Sequence, residues 1–122
     1  MIEIGHTYFH SNFWDYSKYK RVAISNSVPD DFDGPRYGKL APLWGLVDNY
    51  KKGRITKDEF INCYKRDTLS YLSPDLVVQE LVEEYGDKIL LTCWEGKNKF
   101  CHRYIVMSWL KEANLEGVKF IN

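Results

Sequence analysis

The chain of 122 residues lacks an excess of either charge, since 17 basic side chains balance 17 acidic ones. Such a chain has no overall field that attracts a polyanion, so a nucleic-acid partner is disfavoured and would need a local basic patch. No apolar run reaches membrane-spanning length, and Met1 is not followed by the basic and apolar segments of a secretory signal. We therefore expect a cytoplasmic protein without a membrane partner.

Cysteine is also scarce, with three residues and no Cys-x-x-Cys pair. An odd number without paired spacing favours reduced thiols over a disulfide framework. The short paired spacings of structural zinc are missing too, so neither a metal nor another cofactor is predicted. Hydrophobic residues at 44% and charged residues at 28% are typical of an ordinary globular chain, and the length is that of one domain, residues 1–122.

Strand-like and helical segments alternate along the chain. Thr56-Lys57-Asp58-Glu59 has the pattern of a capping box, and Pro42 and Pro74 stand where a first helical turn tolerates proline. The first strand is expected to end near Gly5-His6-Thr7. Further strands are predicted over 21–25, 88–94 and 118–120, and helices over 41–53, 57–71, 74–86 and 101–113. This order predicts a single small three-layer α/β domain with a mostly parallel sheet flanked by helices.

The most informative stretch is the last predicted strand-loop-helix unit. An apolar strand leads through a Gly/Lys/Asn loop into a helix that begins with Cys101, His102 and Arg103. Unpaired N–H groups and the positive end of the helix dipole favour an anion at such a start, including the thiolate of Cys101 itself. We therefore expect this helix start to bind an anion or to stabilise the thiolate of Cys101.

Residues far apart in the sequence should meet at this helix start. In open α/β sheets, ligands lie beyond the carboxyl ends of the strands. Three groups of polar residues follow predicted strands here: Gly5, His6 and Thr7, then Ser25, Asn26 and Ser27, then Cys93 and Glu95. The sequence therefore predicts one crevice that these groups share with Cys101, His102 and Arg103.

The crevice offers candidates for catalysis. Cys101 has the setting that lowers a thiol pKa, and it acts as a nucleophile if a base lies within reach; the alternative is a small packed side chain. Successive helical residues point about 100° apart, so His6 is a better partner for Cys101 than His102 is. Glu95 either orients a histidine or pairs with Arg103. Cys93 is a second candidate thiol, and a further reading has Arg103 in a structural ion pair.

Other residues suit ligand binding. The fork of Arg103 fits a phosphate or carboxylate. Ser25, Asn26 and Thr7 supply polar groups near the same crevice. Five aromatic side chains could stack on a planar ring: Tyr8, Trp14, Tyr37, Trp44 and Trp94. Trp44, at helical spacing with apolar neighbours, is more often a core residue, and Tyr37 and Trp94 are the better candidates because they lie in or beside loops.

A family resemblance rests on the same stretch, L-L-T-C-W-E-G-K-N-K-F-C-H-R-Y-I-V-M-S-W-L. Its Cys-x-Glu and Cys-His-Arg elements resemble the signature of the family catalogued as domain of unknown function 488, and the likeness extends over residues 20 to 120. Asn26-Ser27 departs from the pattern, because many members carry Arg then Gly there. If that arginine helps to hold an anion, this protein either has lost it or supplies it from Arg21 or Arg36. The resemblance implies an α/β fold and a shared pocket, and it brings no agreed activity.

Three functions follow from these residues. The first is binding of an anionic small molecule, such as a nucleotide or a nucleotide-derived ligand, in the crevice. The second is a cysteine-dependent transferase or hydrolase in which Cys101 is the nucleophile, His6 or His102 the base and Arg103 the anion anchor. The third, a nucleic-acid-associated accessory protein, is least favoured by the charge balance.

A phosphatase loop of the Cys-x5-Arg type is absent, because Lys99 is the sixth residue after Cys93. A homo-oligomer is compatible with the sequence.

Overall fold

A computed structural model describes residues 1–11, 16–95 and 100–122. Its sheet has four strands, β1 (Ile2–Tyr8), β2 (Lys20–Ala23), β3 (Lys88–Cys93) and β4 (Val118–Phe120). The strands are ordered β2-β3-β1-β4, and every pairing between them is parallel. The predicted α/β class with a mostly parallel sheet is therefore confirmed.

The central strand β3 is buried on both faces after its first residue. Ile89, Leu91 and Cys93 point to one face and join the main hydrophobic cluster, while Leu90 and Thr92 point to the other face and are also buried. A parallel strand covered on both faces needs a continuous apolar run, which the sequence Ile-Leu-Leu supplies. Packing on both faces therefore fixes the position of β3 and of the residues that follow Cys93.

The described residues form four helices, α1 (Trp44–Lys51), α2 (Lys57–Asp67), α3 (Pro74–Tyr85) and α4 (His102–Glu112). Helix α3 packs on β3, α4 packs on β1 and β3, and α1 packs on α2. Short 3-10 turns occur at Tyr16–Lys18, Gly38–Leu40 and Leu69–Tyr71. Helix α3 begins on Pro74 and ends at Gly86, whose φ of 95° is a conformation that side chains rarely allow. Among the described residues, no helix is both long and apolar enough to cross a lipid bilayer.

The capping box at the start of α2 is present as predicted. The Glu59 backbone N–H donates to the Thr56 hydroxyl at 3.1 Å, and the Thr56 backbone N–H donates to the Glu59 carboxylate at 2.9 Å. Replacing Thr56 by Ala leaves the Glu59 N–H without this acceptor. We expect a loss of about 1 kcal/mol in the free energy of unfolding, measured by urea denaturation.

Thr56→Ser serves as the control for that measurement, because serine keeps the hydroxyl that accepts from the Glu59 N–H. It should change stability much less than Thr56→Ala does. Equal losses for the two variants would contradict a specific role for the capping box.

Several boundaries differ from the prediction. Helix α1 begins at Trp44 with Leu43 as its N-cap, so Pro42 precedes the helix and is not in its first turn. Strand β2 ends at Ala23, two residues earlier than expected. Strand β1 continues through Gly5, His6 and Thr7 to Tyr8, because its pairing with β3 extends to Tyr8 and Cys93. His6 and Thr7 are therefore strand residues and not part of a loop beyond the strand. Helix α2 ends at Asp67, and a separate 3-10 turn replaces its expected last turn.

Candidate functional site

A cleft of about 870 Å³ lies at the carboxyl end of the sheet. Three segments supply its polar edge and floor: Ser25, Asn26 and Ser27 after β2, Cys93, Trp94 and Glu95 after β3, and Cys101 with His102 at the start of α4. The apolar and aromatic wall comes mainly from α1 and α2 and includes Trp44, Val47, Tyr50, Phe60 and Phe100. These strand ends and the helix start meet as the parallel topology predicts.

The polar edge is held by hydrogen bonds within the loop after β2. The hydroxyl of Ser25 donates to the Ser27 carbonyl oxygen at 2.6 Å, and the Asn26 amide donates to the Pro42 carbonyl oxygen at 2.7 Å. The indole N–H of Trp94 donates to the same Ser27 oxygen at 2.9 Å. This bond fixes the indole of Trp94, which remains 40% exposed, beside the loop.

The two cysteines of the motif differ from the expectation of reduced thiols. Cys93 and Cys101 are joined by a disulfide, while Cys63 is free. The sequence could not show this pairing, because the eight-residue separation has no characteristic spacing and only the fold brings the end of β3 to the start of α4. In this form neither sulfur on the cleft floor is a thiolate.

The contact between Cys101 and His102 also differs from the expectation. The Cys101 sulfur lies 3.6 Å from Nδ1 of His102, whereas successive helical residues should point apart. The reason is that Cys101 is the N-cap of α4, with extended φ and ψ of −146° and 148°, so the helical step of about 100° does not apply to it. His102, not His6, is therefore the imidazole next to Cys101.

His102 is buried and has a defined tautomer. Its Nε2 lies 2.6 Å from the Ile24 carbonyl oxygen, which can only accept, so Nε2 carries the hydrogen and Nδ1 has a free lone pair. Its ring packs edge-on against Tyr64. Burial lowers the pKa of His102 to about 4, the bond to Ile24 opposes that change, and the charge of Arg103 adds to it. The imidazole is neutral at pH 7.

Arg103 lies beneath the cleft floor and is 2% exposed. Its Nε donates to Nδ1 of His6 at 3.0 Å, and its Nη1 donates to the Cys93 sulfur at 3.2 Å and to the Glu95 carbonyl oxygen at 2.5 Å. Its Nη2 donates to the Tyr104 hydroxyl at 3.1 Å. The hydrogen bonds of the guanidinium therefore link β1, the end of β3 and α4. The guanidinium is not among the groups that line the cleft.

His6 belongs to this buried cluster and not to the cleft. Its ring packs edge-on against Tyr104, and its backbone N–H and C=O both bond to the Asn122 side chain. Burial, followed by the positive charges of Arg103 and Lys111, lowers the pKa of His6 to about 4. His6 thus orients Arg103, and it does not lie beside Cys101 as a base would.

Three predicted ligand residues lie elsewhere. Thr7 is buried within β1, and Tyr8 ends that strand with its ring 5.8 Å from the Arg103 guanidinium carbon. Tyr37 is buried and donates its hydroxyl to Glu80 at 2.7 Å, and burial together with that bond raises its pKa. The topology therefore separates these three from Ser25, Asn26 and Trp94, which do line the cleft.

The two arginines considered as replacements for the family's missing arginine are used elsewhere. Arg36 donates to the Ser25 carbonyl oxygen at 2.7 Å, and Arg21 donates to the Phe9 carbonyl oxygen at 3.1 Å. Among the described residues, the cation that lines the cleft is Lys51, near the end of α1. Trp14, a stacking candidate, and Lys99, in the loop of the motif, fall outside the described residues.

Sequence reasoning missed Lys51 and favoured the wrong role for Trp44. The core was the preferred place for Trp44, yet it is 63% exposed and lines the cleft. It is the first residue of α1, directly after Pro42 and Leu43, and a position in the first turn need not face the core. That signal, an aromatic residue at a helix start after proline, was present in the sequence.

The Cys93 and Cys101 sulfurs and a nitrogen of His102 lie within 4.8 Å of one another, and all three residues are buried. Among the described residues, this is the group whose side chains could together hold a metal ion.

The model of a protein family described as "Active DUF488-N3 subclade" matches residues 17–114. No curated protein and no solved structure gives a significant match to this chain.

Proposed function

This chain belongs to the DUF488 family, in the group described as its active N3 subclade, and we propose that it binds an anionic small molecule with a planar ring, such as a nucleotide. The ligand would lie in the cleft at the carboxyl end of the sheet. The observation that carries this function is the presence of two exposed tryptophans and a helix start in the same cleft.

The tryptophans supply the surface for a ring. Trp44 and Trp94 lie on the wall and on the edge of the cleft, and Tyr50, Phe60 and Phe100 form an aromatic cluster behind them. Concave sites of this size, lined by aromatic side chains with a few polar groups, are typical of ligand pockets. A nucleobase or similar ring would therefore lie against an indole face.

The start of α4 supplies the place for a negative charge. The Cys101 side chain makes no capping hydrogen bond, and helix α4 has 11 residues, so its dipole favours an anion at this end. Lys51 adds a cation to the lining of the same cleft. Arg103 supports the floor, and its predicted role as the direct anion anchor passes to the helix start and Lys51.

Cysteine catalysis is a weaker candidate in this form of the protein. Cys101 touches the free Nδ1 of His102, which is the geometry of a nucleophile and its base. The disulfide to Cys93 must first be reduced before a thiolate can form. We place the protein in the cytoplasm, where thiols are kept reduced, and binding remains the function that both redox forms support.

A thermal-shift panel tests the binding function. The oxidised protein is melted with AMP, ADP, adenosine and inorganic phosphate, and we expect nucleoside phosphates to raise the melting temperature most, because they carry both ring and charge. A ligand at ~100 times its Kd adds ~2.7 kcal/mol to the free energy of unfolding. Trp44→Ala should weaken binding roughly 5-fold to 100-fold, since stacking on an aromatic side chain contributes about 1–3 kcal/mol.

A lysine pair gives the matched control. Lys51 lines the cleft, whereas its neighbour Lys52 forms an ion pair with Asp48 at 3.1 Å. Lys51→Gln should reduce the affinity for nucleoside phosphates and leave adenosine unaffected, and Lys52→Gln should change neither. The function is refuted if no phosphate compound shifts melting, or if the two lysine variants lose affinity equally.

A further inference from the structure

The floor of the cleft contains three groups that suit a metal ion. We propose that, once the disulfide is reduced, Cys93, Cys101 and His102 bind a zinc ion through the two sulfurs and Nδ1. All three residues are buried, and the two sulfurs and a ring nitrogen of His102 lie within 4.8 Å of one another. Two thiolates and an imidazole are ligands that zinc prefers, and three protein ligands leave a fourth position open.

The orientation of His102 is the first independent support. Its Nε2–H donates to the Ile24 carbonyl oxygen at 2.6 Å, so the lone pair of Nδ1 points toward the Cys101 sulfur, 3.6 Å away. Metal-binding histidines commonly donate their other N–H to a backbone carbonyl, which fixes the tautomer and the ring orientation. His102 is 7% exposed, so its free lone pair is withdrawn from bulk solvent and aimed at the sulfurs.

The distances also suit zinc. With Zn–S near 2.3 Å and Zn–N near 2.0 Å, the S···N edge of a tetrahedron is about 3.5 Å and the S···S edge is about 3.8 Å. The observed distance from the Cys101 sulfur to Nδ1 is 3.6 Å. The Cα atoms of Cys93 and Cys101 are 7.4 Å apart, which leaves room for the sulfurs to separate by side-chain rotation after reduction.

The chemistry requires two steps. A dithiol reductant first becomes its own disulfide, while the bond between Cys93 and Cys101 breaks and each sulfur takes up one proton. Zinc then displaces both thiol protons, which pass to solvent, and it binds the neutral imidazole without displacing one. The disulfide is thus the metal-free oxidised form of the same residues.

Arg103 adds a charge that shapes the fourth position. Two thiolates neutralise Zn²⁺, and the Nη1–H of Arg103, 3.2 Å from the Cys93 sulfur, supports that thiolate and leaves one net positive charge. An anionic fourth ligand that enters from the cleft would neutralise this remaining positive charge. That last point rests on the proposed anion binding, whereas the zinc site itself does not.

Cobalt(II) and zinc binding test the inference on the full chain. The protein is reduced with dithiothreitol and desalted without oxygen, and cobalt(II) alone is added. We expect one equivalent to bind with the sulfur-to-cobalt charge-transfer band and the intense visible bands of a tetrahedral thiolate site, and zinc to displace it. The same chain in its oxidised form should bind none, which controls for the fold.

Cysteine variants complete the test. Cys63→Ser should retain the spectrum and the zinc affinity, because Cys63 lies in α2 outside the site. Cys93→Ser and Cys101→Ser should each weaken zinc binding by roughly 100-fold or more. The inference is overturned if the reduced wild-type protein shows no charge-transfer band, or if Cys63→Ser removes it. Nucleotide binding is measured on oxidised, metal-free protein, so either result can fail without the other.

Discussion

Replacing Arg103 by Ala is expected to lower the free energy of unfolding by about 3–5 kcal/mol. Arg103 is 2% exposed and donates to His6, Cys93, Glu95 and Tyr104. Its removal leaves a cavity and several buried acceptors without a donor, and an unsatisfied buried acceptor costs about 1–3 kcal/mol. Urea denaturation of the oxidised protein measures the loss.

A second variant and a control test whether the charge of Arg103 or the planar shape of its guanidinium is responsible for this stability. Arg103→Lys keeps the positive charge but lacks the planar fork, so it should recover only a minor part of the stability. Arg66→Ala is the control, because Arg66 is exposed and its partners among the described residues are Asp67 and Cys63 of its own helix, so its loss should be much smaller than that of Arg103→Ala. If Arg103→Ala were as stable as Arg66→Ala, the guanidinium would not hold the cleft floor together.

The second large effect is a loss of stability in weak acid. His6 and His102 have pKa values lowered to about 4 in the folded protein, against about 6.5 in the unfolded chain. Because the unfolded chain binds protons first as the pH falls, the stability is complete above pH 6.5 and is lost as the pH falls through 4. Each fully neutral histidine contributes a slope of up to about 1.4 kcal/mol per pH unit, and the half-exposed His6 contributes less.

Between pH 6.5 and 4.5, the loss of stability that comes from the histidines can be measured largely apart from that of the carboxylates. Asp67 and Glu80 also have pKa values lowered by hydrogen bonds to cations, and their losses fall below this window. Urea denaturation of oxidised, metal-free protein should show a falling free energy of unfolding, and His102→Asn should flatten most of the slope. His10→Gln, at an exposed position, is the control. A flat profile in the wild type would contradict neutral buried histidines.

Much of the fold could be predicted because its signals are local. The capping box at Thr56, the proline of Pro74 and the glycine at Gly86 mark helix ends by backbone chemistry that does not depend on the rest of the chain. The end of β1 was placed too early, since its length depends on pairing with β3, whose register Tyr8 to Cys93 is a long-range property. Glycine in a strand resembles a turn signal, but here Ile121 packs over Gly5.

The candidate site was partly predictable for the same reason. The rule for parallel strands correctly brings Ser25, Asn26, Cys93 and Cys101 to one cleft, because it depends only on strand direction. It could not say toward which face each side chain points. Arg103 was expected in the crevice and lies under it, and His6 was expected beside Cys101 and pairs with Arg103. The disulfide depends on two elements docking, which spacing alone does not encode.

The order of the strands has a consequence for synthesis of the chain. Strand β1 leaves the ribosome first, yet its neighbours in the sheet, β3 and β4, begin at Lys88 and Val118. At usual translation rates of about 5–20 residues per second, the apolar Ile2 and Ile4 wait several seconds for a partner strand. We therefore expect β1 of the nascent chain to stay unpaired during this time, and slowing elongation before Lys88 should lower the yield of native protein.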